Sequence, residues 1–425
     1  MWYRVLINVF KVKDLRDKVL FVLAIFLIFR ILANIPIPGI DTQRLRQFFE
    51  QFKIFSLMNI FTGGTLERFS IVMLGLGPFI IAEVILQLLT MVFPSLEEMY
   101  KKEGEEGRRK LEQHGRILTV PLAAIEAFGM LTLFSREKIL APLSPLGWIS
   151  AISTITAGTL LLVWLGELID EKGIGNGVSL LICAGIIADF PRNLGQLIAN
   201  FDPTRLFSYI LFFLATILII SAVIFVTEAR RNIKVSYAKR VRGMRLFGGV
   251  STYLPLSVNP AGVMPIIFAL SILTFPSMIA SFLSNTPGIL GKISNSLVLF
   301  FENPIFHTIS YFLLVFLFTF FYTMVVFDPK SISENLQKMG GFIPGIRPGP
   351  KTAQYLSFVL NRILVFGGIF LGVIAITPSL VQAITKVGAF SFLVGGTSVL
   401  ILVSVILETF ERLKAELEMR EYETF

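Results

Sequence analysis

The sequence predicts an all-α polytopic membrane protein of ten transmembrane helices, arranged as two inverted, pseudosymmetric halves of five. Three observations predict it. Hydrophobic residues make up 54% of the 425-residue chain and charged residues 16%, too little polar material to cover a soluble globule. Ten segments are apolar over about the 20 residues that a helix needs to cross the hydrocarbon core. Two short motifs, one in the second segment and one in the fifth, recur in the seventh and the tenth.

The ten segments lie near residues 19–37, 69–93, 117–134, 148–168, 178–200, 208–227, 261–283, 306–327, 363–384 and 389–407. Two are irregular. The second is interrupted by Gly75 and Pro78, and the fifth contains Asp189-Phe190-Pro191-Arg192-Asn193. Arg4, Lys11, Lys13, Arg16 and Lys18 precede the first segment, and no small-residue cleavage site follows it, so this span is expected to stay uncleaved with its basic flank in the cytosol. Ten spans then put both termini inside. With that topology, 27 of the 38 Lys and Arg residues face the cytosol, which is the asymmetry of the positive-inside rule. It accounts for the +9 charge without nucleic acid.

Catalytic chemistry has little to work with. Cys183 is the single cysteine and lies in an apolar run, so no intrachain disulfide can form. His114 and His307 are the only histidines, and both fall at span edges. No metal-ligand cluster, hydrolase triad or phosphate-loop lysine can be assembled, and no cofactor is expected. Gly177-Val178-Ser179 suggests an intramembrane serine protease, but no histidine lies inside a span to activate the hydroxyl.

The repeat is specific in its order. Gly75-Leu76-Gly77-Pro78-Phe79-Ile80 and Gly262-Val263-Met264-Pro265-Ile266-Ile267 share G-x-x-P-x-I. Gly177-Val178-Ser179-Leu180-Leu181-Ile182 and Gly396-Thr397-Ser398-Val399-Leu400-Ile401 share G-x-S-apolar-L-I. Segment two thus corresponds to seven and five to ten, as expected for a duplicated unit of five spans. Because five is odd, the second copy enters from the other side, which makes the halves inverted repeats. Proline is tolerated in the first turn of a helix, where its missing N–H has no partner to lose, so each G-x-x-P predicts a helix start. A break at membrane depth requires that the free backbone groups be buried in protein or face water.

Further motifs carry a family resemblance. Ile35-Pro36-Ile37-Pro38-Gly39-Ile40, the run 101–113 (KKEGEEGRRKLEQ), Gly166-Glu167 followed by 173–177 (GIGNG), 237–240 (YAKR) and 343–349 (IPGIRPG) are collinear over nearly the whole chain. Together they resemble SecY, the channel family of the general protein translocase. The resemblance implies an hourglass pore between the halves, with an apolar ring at its waist, a short plug helix and a lateral gate between helices 2 and 3 and helices 7 and 8. It places the ring on Leu76, Ile80, Val178, Ile182, Ile267 and Ile401. The repeat alone selects four of these, because Ile80 and Ile267 follow the repeated proline by two residues while Ile182 and Ile401 end the repeated G-x-S motif. Apolar rings can gate by dewetting.

The plug falls on residues 64–72: Gly64, Thr65, Leu66, Glu67, Arg68, Phe69, Ser70, Ile71 and Val72. Gln87, Glu126, Ser271 and Thr274 take the lateral gate, with Ser271 or Thr274 facing Glu126. An acid at the centre of a membrane helix costs about 2.5 to 3.5 kcal/mol on insertion scales, so Glu83 and Glu126 should meet protein, water or a partner helix. Arg30, inside the first segment, should snorkel or pair.

The halves are expected at 1–200 and 201–407, with a cytosolic tail at 408–425 that is helical, charged and exposed over 411–425. Residues 101–113 alternate sign and read as a solvated loop. Two long cytosolic loops, 228–258 and 328–362, exceed what charge bias alone explains. The first carries Arg230, Arg231, Lys234, Lys239, Arg240, Arg242 and Arg245 against Glu228, and the second carries Arg347. By resemblance they dock the SecA motor ATPase or the ribosome, the latter through RNA phosphates. Met244 stands where the family often has arginine. Other implied partners are the SecE and SecG membrane subunits, signal sequences, translocating polypeptides and membrane lipid. The implied location is the bacterial plasma (inner) membrane. A secondary transporter using Glu83 and Glu126 as proton carriers is the rival reading, since transporters also use inverted repeats and broken helices. It predicts polar residues at the repeat interface, where the motifs here place isoleucine.

Overall fold

A computed structural model gives the fold and describes residues 10–41, 44–45, 47–48, 62, 64–93, 95–96, 99, 104–199, 203–237, 240–242, 245–247, 251–283, 289–385 and 396–423. A helix occupies each of the ten apolar segments. They are α1 (Lys13–Leu32), α2 (Gly77–Val92), α3 (Gly104–Arg136), α4 (Pro145–Lys172), α5 (Gly177–Ala199), α6 (Leu206–Glu228), α7 (Met264–Leu283), α9 (Pro304–Val326), α11 (Pro350–Thr385) and α12 (Gly396–Glu423). Two shorter helices, α8 (Ile289–Glu302) and α10 (Pro329–Lys338), lie between them.

Among the described residues, five helical stretches are long and apolar enough to cross a membrane: Arg109–Arg136, Pro145–Lys172, Tyr209–Glu228, Pro304–Lys338 and Pro350–Thr377. Helix α6 shows why. Phe207, Phe213 and Phe225 are exposed along with Ile210, Leu214 and Ile217, a helix surface that water would not tolerate and lipid would.

The chain divides into two compact units. One holds Met1–Thr204, Leu270–His307 and Ile401–Phe425, and the other holds Arg205–Ala269 and Thr308–Leu400. In the first, α2, α3, α4 and α5 pack in sequence order and α1 lies against α4 and α5. Its core joins the loop after α1 to the region before α2. Phe134 of α3 is fully buried and meets the rings of Phe48 and Phe69, at centroid distances of 5.5 and 5.4 Å, with Leu66, Met73 and Met130 in the same cluster.

The second unit is not all helix. Strand β1 (Arg230–Tyr237) pairs antiparallel with β4 (Ser251–Ser257), with Ile233 opposite Leu254, and with the short β5 (Gly341–Phe342). Strands β2 (Arg240–Arg242) and β3 (Arg245–Phe247) form a separate hairpin. Alternation explains β1, since Ile233 and Val235 point into a cluster with Leu256, Leu336, Ile343 and Leu356 while Asn232 and Lys234 face out. The two long loops thus share one small core. Asp328 caps α10 by accepting from the Lys330 N–H at 3.0 Å, with Pro329 in the first turn.

Two expectations are corrected by these elements. Residues 104–113 belong to α3 rather than to a loop, because Glu, Lys and Arg are good helix formers and Lys110 pairs with Glu106 one turn away at 3.4 Å. The tail is not wholly exposed either. Leu413 and Leu417 of α12 are buried with Leu15 and Ile174, and the Lys18 ammonium donates to both carboxylate oxygens of Glu416 at 3.0 and 2.9 Å. That pair is about a third exposed, at 34% and 28%. Lys18→Ala should therefore cost less than about 1 kcal/mol, read as a small drop in the thermal unfolding midpoint of the detergent-solubilised protein.

Candidate functional site

The repeated G-x-x-P motif is repeated in geometry. Gly75 and Gly262 both adopt left-handed backbone, with φ of 58° and 61°, a conformation that costs any residue with a Cβ. Pro78 and Pro265 then each occupy the second position of the helix that follows, α2 and α7. The first helical bonds correspond too. The Ile80 N–H donates to the Leu76 carbonyl at 3.0 Å, and the Ile267 N–H donates to the Val263 carbonyl at 3.3 Å.

The G-x-S motif also begins two helices, α5 at Gly177 and α12 at Gly396. At α5 the start is built by the last turn of α4 and the loop that follows it. The Asp170 carboxylate accepts from the Gly177 N–H at 2.8 Å, and the Asn176 side-chain oxygen accepts from the Ser179 N–H at 2.9 Å. These bonds satisfy donors that a helix N-terminus otherwise leaves open. Ser179 and Ser398 are both buried, as are Ile182 and Ile401. Of the six ring positions, Leu76, Ile80, Val178, Ile182 and Ile401 belong to the first unit and Ile267 to the second. Val178 is half-buried and the other five are buried.

Residues 64–76 are a string of turns rather than a plug helix. Left-handed backbone at Gly64, Phe69 and Gly75, with φ of 75°, 50° and 58°, precludes a continuous helix. Extended pairing replaces it. The Ile37 N–H donates to the Phe69 carbonyl and the Ile71 N–H to the Ile35 carbonyl, both at 3.0 Å, so Pro36 and Ser70 form a β-bridge. Thr65, Leu66, Phe69, Ser70 and Val72 are buried. Gly158 of α4 receives this segment closely, for a Cβ there would strike the Ile71 carbonyl.

The two charged residues of the segment point to charges of opposite sign. The two terminal nitrogens of the Arg192 guanidinium, Nη2 and Nη1, donate to the Glu67 carboxylate at 2.6 and 3.2 Å. Arg68 lies 3.5 Å from Asp189 and donates to the Asn34 side-chain oxygen at 2.6 Å.

The predicted docking residues fall on the second unit. Arg230 and Arg231 are exposed at the start of β1. The backbones of Arg240, Arg242 and Arg245 form the β2–β3 hairpin, while Lys239 lies outside the described residues. Arg347 is exposed on a rigid turn. Gly345 and Gly349 on either side are left-handed, at φ of 84° and 93°, and the Thr352 hydroxyl donates to the Arg347 carbonyl at 3.0 Å.

The family model described as SecY matches residues 70–410. The chain belongs to the SecY family. The protein translocase subunit SecY of Thermotoga maritima is 42% identical over 429 residues, covering 98% of this chain and 96% of that protein. Two solved structures share the fold. One is described as showing that the plug domain of the SecY protein stabilises the closed state of the translocation channel and maintains a membrane seal, with TM-score 0.64, 20% identity, and 93% and 91% of the two chains covered. The other is Sec61 in the canine ribosome-channel complex from the endoplasmic reticulum, with TM-score 0.63, 19% identity and the same coverage. SecY membership makes the chain a multi-pass membrane protein of a translocation-channel family and sets aside the transporter reading.

The predicted gate residues lie on α2, α3 and α7. Glu126 of α3 is 4% exposed. Gln87 of α2 is half-buried with its side-chain oxygen enclosed and unbonded, and Ser271 of α7 is half-buried. The Thr274 side chain lies outside the described residues. Glu83 is half-buried on α2. Sequence reasoning missed Asp189 and Arg192 as partners of residues 67 and 68. A signal for them existed, since both are charges inside an apolar segment.

Proposed function

We propose that the chain is the pore of a protein-conducting channel of the bacterial plasma membrane, with ten transmembrane helices in two inverted halves and both termini in the cytosol. It passes unfolded secretory polypeptides across the membrane and releases transmembrane segments sideways into lipid. Leu76, Ile80, Val178, Ile182, Ile267 and Ile401 form the apolar constriction, and residues 64–72 plug it at rest. Gln87, Glu126, Ser271 and Thr274 form the lateral gate, whose polar pairing a signal sequence displaces more easily than full apolar packing. SecE and SecG are its membrane partners. The push comes from SecA or the ribosome, docked on the basic loops 228–258 and 328–362.

One observation carries this reading most directly. Gly75 and Gly262 share left-handed backbone, a proline three residues on and a buried isoleucine five residues on, at corresponding places in the repeated motif. Such a break is acceptable at membrane depth only where it lines a cavity or is buried in protein. A photo-crosslinking side chain placed at Ile80 and, separately, at Ile267 is expected to capture a stalled translocating polypeptide from both positions. Capture from neither, with crosslinks to lipid instead, would remove the pore assignment.

A further inference from the structure

The segment 64–74 is held by more than its apolar residues. Glu67 and Arg68 are adjacent and of opposite sign, and they meet Arg192 and Asp189 of α5, three residues apart and also of opposite sign. The pairing is crosswise, with Glu67 bidentate on Arg192 and Arg68 on Asp189. Arg30 of α1 completes the set. It lies 3.5 Å from Asp189 and donates to the Ala188 carbonyl at 3.4 Å, while its own carbonyl accepts from the Asn34 amide at 2.7 Å, the residue whose side-chain oxygen accepts from Arg68. The five charged side chains are only 18 to 36% exposed.

Gly64 adds a close approach to the same charges. Gly64 lies so close to Asp189 that a Cβ at 64 would strike its carboxylate. Each of the two faces is therefore shaped and charged for the other. An apolar segment wedged into an apolar cavity can slide, whereas two adjacent opposite charges on two matching charges define one position and one direction of approach.

We propose that Arg30, Asp189 and Arg192 are positioning residues that form an electrostatic latch for segment 64–72, holding it seated until a polypeptide enters. This rests on the reading of 64–72 as the plug. The latch suits a reversible closure, because ion pairs near a surface exchange their partners for water when pulled apart, while buried apolar contacts keep the segment against the wall. It also explains why a chain with few charges places Arg30, Asp189 and Arg192 inside apolar segments.

The test uses the full chain in complex with the membrane subunits that co-purify with it, reconstituted in planar bilayers, with resting ion conductance per channel as the readout. Arg192→Glu and Glu67→Arg are each expected to raise resting conductance about fivefold, the population change that a small loss of seating energy produces. The reciprocal double variant Glu67→Arg/Arg192→Glu is expected to return it to within about twofold of the unaltered channel, a rescue that a merely structural role would not show. Asp189→Asn, nearly isosteric, gives the same rise and serves if a charge reversal fails to fold. Deletion of residues 64–72 separates the two readings. A leaky deletion with silent Arg192→Glu and Asp189→Asn overturns the latch and leaves the plug. Leaky single variants without rescue in the double also overturn the latch. A deletion with unchanged conductance removes the plug reading and the latch together.

Discussion

Gly177→Ala is expected to destabilise the protein by about 3 kcal/mol, at the upper end of what overpacking typically costs. A Cβ at 177 would lie 2.6 Å from the Gly166 carbonyl carbon and 2.9 Å from its Cα, with the Gly166 oxygen closer still. Those atoms are backbone of α4 and cannot rotate away, so either α4 and α5 separate or the loop between them deforms. The last turn of α4 and that loop supply the bonds from Asp170 and Asn176 that start α5. Deformation there would move Val178 and Ile182 with it. Gly77→Ala is the internal control. Nothing lies within 4 Å of a Cβ at 77, and the residue opens α2, so its replacement should be neutral or stabilising by up to about 1 kcal/mol. Thermal unfolding of the two variants in the same detergent separates them. Equal midpoints would show that α4 and α5 pack more loosely than their geometry implies.

The contrast between these glycines indicates what was legible in the sequence. Motifs whose reasons are local could be read directly. A glycine followed by a proline three residues on states a backbone requirement of its own position, and both copies met it, with left-handed Gly75 and Gly262 and a proline in the first turn of α2 and α7. Apolar length placed a helix in each of the ten segments for the same reason. The close approach of Gly177 to Gly166 was visible only as a family motif, since nothing in G-E or G-I-G-N-G names the partner backbone.

Features that depend on distant partners were not legible. Glu67 and Arg192 are 125 residues apart and Arg68 and Asp189 are 121 apart, so single charges in apolar runs could be flagged but not matched. The expected plug helix gave way to turns because Pro36 and Ser70 pair as extended backbone, joining two segments that read as unrelated. Strand β1 was missed for a different reason. Its alternation of Ile233 and Val235 with Asn232 and Lys234 was present in the sequence, but the count of arginines dominated the reading of that loop.

Arg347→Glu is expected to abolish motor-driven transport, by tenfold or more, while leaving resting conductance and thermal stability unchanged. The turn that carries Arg347 is held by left-handed Gly345 and Gly349, by the Ile346 N–H donating to the Ile343 carbonyl at 3.0 Å, and by the Ser333 hydroxyl donating to the Gly349 carbonyl at 2.7 Å. Its backbone is thus held on both sides while Arg347 is exposed. A turn rigidly built from two sides to project one cation is poorly explained by charge bias alone, which needs no fixed geometry. Reversing the sign of a cation that pairs with a docked partner costs about 2 to 5 kcal/mol, enough for at least the stated tenfold drop at about 1.4 kcal/mol per decade. Arg347→Lys keeps the charge but loses the planar fork, so it should retain partial activity if the partner presents a point charge and little if it presents a carboxylate or phosphate to be gripped by two bonds. Transport of an unfolded precursor into vesicles, driven by the motor ATPase, gives the measurement. Normal transport by Arg347→Glu would remove the turn from the docking surface and leave β1 and its exposed Arg230 and Arg231 as the remaining platform.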